Sequence, residues 1–195
     1  GVAVNLPPAG NGERTAAAIA AAKSGASITD MMKALGCAPT AIQALPRRRF
    51  GEAFEELRRD SDRFLKQSGS RPAIFLANLG PLATYTPRAT FARNAFEAGG
   101  LEAIDQGGFE DATALAEAFK ASGAKLAVIC SSDRRYEADA EASAQALKAA
   151  GCAWLALAGA PGDKADAYGA AGVDDYVRMG GDLLATLKAA WEALG

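Results

Sequence analysis

Arg71-Pro72-Ala73-Ile74-Phe75-Leu76-Ala77-Asn78-Leu79-Gly80-Pro81 is the stretch whose reading decides the fold. Its apolar run at 73–77 predicts a strand, and a helical pattern at 88–98 follows it. The same alternation then recurs. Strands are predicted at 102–104, 126–130, 153–158 and 175–178, and helices at 112–122, 137–150, 164–171 and 182–194. Each helix ends on a glycine: Gly99-Gly100, Gly123, Gly151, Gly172 and Gly195. Strand and helix alternating over so short a span imply βαβ units, hence a parallel sheet with right-handed crossovers. The middle strands are continuously apolar, as a sheet covered on both faces requires. Five units suit the flavodoxin-like order 2-1-3-4-5, with ligands expected beyond the carboxyl ends of the strands.

Working outward, residues 71–195 are therefore expected to be one α/β domain and residues 1–70 a linker and helical segment. The first dozen residues are rich in Pro and Gly and lack periodicity. An Ala-rich helix is predicted from Glu13 to Lys23, then a short one capped by Ser27 or Thr29 and ending at Gly36. In the charged stretch from Phe50 to Phe64, the side chains of Phe50, Phe54, Leu57 and Phe64 fall near one helical stripe. That stripe is expected to lie against another domain or subunit. The start at Gly1 and the linker-like Leu6-Pro7-Pro8-Ala9-Gly10 suggest a piece of a longer polypeptide.

Composition narrows the function classes. Half of the 195 residues are apolar and 23% are charged, as in globular proteins. The formal charge of −2 argues against a nucleic-acid footprint. No apolar run approaches the length of a membrane span, and a cytoplasmic location is expected. Cys37, Cys130 and Cys152 are odd in number and widely spaced, which disfavours a disulfide scaffold or zinc cluster. The chain contains no histidine, so it has no Ser/His/Asp or Cys/His set and no imidazole metal ligand.

The strand-end loops are where chemistry would sit. The first, Asn78 through Pro87, lacks both the G-x-G-x-x-G and the Walker A pattern. Pro87 is placed as the first residue of the next helix and Thr86 as its cap. Gly80 and Thr84 belong to this loop, and Thr84, Tyr85 and Thr86 are possible polar contacts at a helix N-terminus. Ser131-Ser132-Asp133 follows the third strand and can hold a ligand or cap a helix. Gly159 follows the fourth strand and Gly180-Gly181 the fifth. These glycines either permit close approach of a bulky ligand or make tight turns. A phosphate-receiver site would need acidic residues where Asn78 stands and a lysine where Arg178 stands.

The run from Arg71 to Pro81, continued by Tyr85-Thr86-Pro87-Arg88-Ala89-Thr90-Phe91-Ala92-Arg93-Asn94 and Phe96-Glu97-Ala98-Gly99-Gly100, resembles the small (β) subunit of methylmalonyl-CoA mutase. Cys130-Ser131-Ser132-Asp133 and Ala170-Ala171-Gly172-Val173-Asp174-Asp175-Tyr176 support the likeness, and Phe54-Glu55-Glu56-Leu57-Arg58-Arg59 resembles the family's exit from its barrel. The resemblance implies a catalytic large-subunit partner that binds adenosylcobalamin and interconverts methylmalonyl-CoA and succinyl-CoA. In that partner a D-x-H-x-x-G loop after the first strand supplies the cobalt ligand. Here the corresponding loop has neither the Asp nor the His, and the expected Gly-Gly after the fourth strand reads Gly159-Ala160. The expectation is thus a non-catalytic subunit with no cofactor of its own. Gly80, Thr84, Ser131, Ser132, Gly159, Gly180 and Gly181 would be the remnants of a pocket. The rival readings are a cobalamin binder needing no protein histidine and a free-standing small-molecule-binding domain.

Overall fold

The structure is a computed structural model that describes residues 3–37 and 43–195. They fall into two compact units, divided between Arg47 and Arg48. The first unit contains α1 (Glu13–Lys23) and α2 (Ile28–Ala34). Ser27 caps α2 by accepting from the Asp30 amide, and Asp30 reciprocates at the Ser27 amide. That contact with Ser27 holds the Asp30 carboxyl below its ordinary value. Neither helix buries a residue, and Ile19, Ile28, Met32 and Leu35 are exposed.

The second unit is the α/β domain. In chain order it contains α3 (Glu52–Ser68), β1 (Ala73–Leu79), α4 (Leu82–Ala98), β2 (Glu102–Ile104), β3 (Gly108–Phe109) and α5 (Ala112–Ser122). It continues through β4 (Leu126–Cys130), α6 (Asp133–Ala149), β5 (Trp154–Ala158), α7 (Ala165–Ala171), β6 (Asp175–Val177) and α8 (Leu183–Glu192). All strand pairs are parallel, in the order β2-β1-β4-β5-β6. Set apart from the two-residue β3, this is the predicted 2-1-3-4-5 arrangement. The addition is β3, which pairs with Asn78 and Leu79 of β1 just past the end of β2.

The central strands bury both faces, so successive side chains feed two separate cores. Ile74, Leu76, Val128 and Ala156 pack beneath α3, α4 and α8. Phe75, Ala77, Ile129, Leu155 and Leu157 pack beneath α5, α6 and α7. Phe96 meets Trp154 edge-on at 6.1 Å in the first core, and Phe75 meets Phe119 at 5.8 Å in the second. Cys130 and Cys152 are buried in these cores as small apolar groups.

Three local departures from the sequence reading matter. The charged helix runs from Glu52 to Ser68, with Phe50 ahead of it and fully exposed. Leu57 and Ser61 make its buried stripe, and they seat it on the α/β domain itself. Arg58 donates to the Ala98 carbonyl at 2.9 Å, and a side chain at Gly100 would meet the Ser61 Cβ at 2.7 Å. Second, the loop after β1 is short, because Asn78 and Leu79 are strand and α4 begins at Leu82. Thr86 is therefore no N-cap, and Pro87 lies inside α4. A proline there removes one helical hydrogen bond and crowds the carbonyl of Ala83, at a cost of about 3 kcal/mol. Third, α6 begins at Asp133 rather than at residue 137, with Ser132 as its cap.

Candidate functional site

The loops after β1, β4, β5 and β6 lie beyond the carboxyl ends of the strands, where open α/β sheets bind ligands. Here the chain's own side chains span that edge. Ser131 is fully buried, and its hydroxyl donates to the Leu79 carbonyl at 2.7 Å, tying β4 to the end of β1. Its amide donates to the Tyr136 hydroxyl oxygen at 2.9 Å. The Tyr136 hydroxyl has one proton to donate and two carbonyls within reach, Ala158 at 2.8 Å and Ile129 at 3.0 Å. One phenol thus joins the ends of β4 and β5. Burial raises the Tyr136 pKa well above its ordinary 10.0 and keeps the group neutral.

Arg88 reaches from α4 across this arrangement. It donates to the Ser131 carbonyl at 2.9 Å and to an Asp133 carboxylate oxygen at 2.5 Å. Its guanidinium lies 4.9 Å from the centre of the Tyr136 ring. Partial burial alone would lower its pKa, but the Asp133 carboxylate and the Tyr136 phenol together outweigh it and raise the value. Gly159, at φ 141°, faces the same guanidinium, and a Cβ there would stand 3.2 Å from Arg88 Cζ. The glycine makes room for the chain's own arginine.

The remaining predicted residues divide between two other places. Thr84, in the first turn of α4, and Ser132 share an open cleft of about 470 Å³ with Pro81, Arg134 and Arg135. Gly80 turns the chain at φ 82°, donates its amide to the Phe109 carbonyl at 2.8 Å and lies under Arg135. Arg135 is itself bound to Glu110 and Asp139. Gly180 and Gly181 border a separate cavity of about 200 Å³ lined by Phe91, Val177, Met179 and Leu183. That volume falls below the roughly 300–1,000 Å³ of small-molecule pockets. Another cavity, of about 540 Å³, opens at the opposite end of the sheet between Arg58, Arg71, Glu97 and Glu102.

Arg88, Tyr136 and Arg135 are what the sequence reading missed. No spacing motif marks them, since their partners lie up to 45 residues away. Tyr136→Phe is expected to lower unfolding stability by about 1–3 kcal/mol, because it orphans a buried amide and a buried carbonyl together. Urea unfolding measures it, and a change below about 0.5 kcal/mol, the level of a neutral surface substitution, would refute the bridging role.

The fold and this edge define a doubly wound α/β domain whose ligand side is braced from within. No family model matches the chain. It is 48% identical over 151 residues to the methylmalonyl-CoA mutase small subunit of Streptomyces virginiae, covering 77% of this chain and 23% of that protein. The small subunit of Porphyromonas gingivalis is 35% identical over 148 residues, covering 76% and 23%. A probable small subunit of Mycobacterium tuberculosis is 42% identical over 114 residues, covering 58% and 18%. By sequence the chain belongs with the methylmalonyl-CoA mutase small subunits. It spans less than a quarter of the length of each of these relatives.

Proposed function

We propose that this chain is the carboxyl-terminal part of the non-catalytic small subunit of an adenosylcobalamin-dependent methylmalonyl-CoA mutase. It supports a catalytic large subunit by shape and contact, and its location is cytoplasmic. Among the described residues, no helix is long and apolar enough to cross a membrane. The relatives' name supplies the enzyme. The observation that carries the non-catalytic reading is the Arg88–Ser131–Tyr136 brace. Two features support a chain without a corrinoid of its own, the first being that it has no imidazole to offer cobalt. The groups nearest the switch between β1 and β4 are engaged with one another.

Titration of the purified chain with adenosylcobalamin, followed by its visible spectrum, is expected to give no saturable binding in the micromolar range (about −8 kcal/mol). Saturation there would overturn the cofactor-free reading. The partnership is tested separately, by co-expressing the small subunit that carries this segment with a catalytic large subunit. A stable complex on size exclusion is expected, and failure to co-purify would count against the assignment.

A further inference from the structure

We propose that the first turn of α4, residues 82–86, is a two-state segment that unwinds while the rest of the helix persists from Pro87. Four observations converge on it. Pro87 has no amide to give the Ala83 carbonyl, so the turn is joined to the helix by a broken hydrogen-bond ladder. Pro81, at the N-cap, supplies no side-chain cap. Thr86, whose hydroxyl is spent on the Leu82 carbonyl at 2.5 Å, stands directly before that proline. It is thus placed to cap a helix starting at Pro87, where the missing amide is an unused donor anyway.

The fourth observation lies on the strand below. Asn78 is fully buried on the α4 side of β1. Its amide nitrogen donates to Asp105 at 2.9 Å, but its Oδ1 has no partner. An unpaired buried acceptor penalises the closed form, and water admitted by unwinding satisfies it. Against these stand the burial of Tyr85, which rests on Gly108, and the helical bonds of the turn itself. The hinges are Gly80, at φ 82°, and Pro87, and the moving turn carries the exposed Leu82. The device is a switch in where the helix begins, and it sits beside the carboxyl edge of the sheet. It does not depend on the mutase assignment.

Native-state hydrogen exchange on the full chain tests it. The Tyr85 and Thr86 amides are expected to exchange about 100-fold faster than those of Phe91 to Phe96 in the same helix. Pro87→Ala should slow them about 100-fold, the factor an interior proline carries. Thr86→Val removes the cap of the alternative start and should slow them about 3-fold, whereas simple fraying would make them faster, since the bond to Leu82 is also lost. Slowing by less than about 5-fold in Pro87→Ala, against the 100-fold of an interior proline, or faster exchange in Thr86→Val, overturns the proposal.

Discussion

Gly108→Ala is expected to cost about 3 kcal/mol or more in unfolding free energy, because the new methyl group would overlap backbone as well as a buried ring. The added Cβ would stand 2.1 Å from the Gly80 carbonyl oxygen and 2.6 Å from Tyr85 Cε1. The first atom is backbone in the turn joining β1 to α4, and the second is a buried ring. Relief requires β3 to move away from β1, which breaks its pairing with Asn78 and Leu79 and the bond from Gly80 to Phe109. Gly123→Ala is the comparison. That glycine adopts φ 70°, with nothing within 4 Å of its added Cβ, so only conformational strain of about 1 kcal/mol applies. Urea midpoints of the two variants separate clash from strain. Equal losses would mean that the approach of β3 to the β1–α4 turn is not a fixed feature of the fold.

The second large effect is alkaline. Burial pushes the Cys152 thiol from its ordinary 9.0 up to about 11, and pushes Cys130 and Tyr136 up further. All three groups are neutral when protonated, so the folded state holds their protons at a pH where the unfolded chain releases them. Their stabilisation is complete below the unfolded values, 9.0 for the thiols and 10.0 for the phenol. It is lost as pH rises above them. In that window each group contributes a slope of about 1.4 kcal/mol per pH unit. Urea unfolding under reducing conditions should therefore be flat near neutrality, fall above about pH 9 and steepen past about pH 10. Cys130→Ala should remove one increment of the slope. No loss of stability up to about pH 10.5 would contradict the buried, neutral state of these groups.

The strands were legible because their chemistry is local. An apolar run such as Leu126–Cys130 is recognisable without knowing what covers it. Ser132 was legible as a cap candidate for the same reason, and it accepts a helix amide. The start of α4 was misread because the local signals of Thr86 and Pro87 are opposed by a tertiary contact, the burial of Tyr85 against Gly108. At two residues, β3 is too short to leave a periodic trace. In the strand-end site, the candidate glycines and serines were found from their positions in the alternation. Their occupant was not, because Arg88 looks like any charged residue on a helix until its partners at Ser131, Asp133 and Tyr136 are brought beside it.

The two outer strands of the sheet have a further consequence. Glu102–Ile104 and Asp175–Val177 are three residues each, and each begins with a carboxylate. The Asp175 side chain even takes up the amide of Tyr176 at 2.7 Å. A foreign strand meeting either margin finds a short template, a repelling charge and, at one margin, a donor already engaged. Copies of the chain thus have little backbone with which to add to one another. The sheet is guarded against runaway polymerisation at its margins, by features separate from those that brace its ligand side.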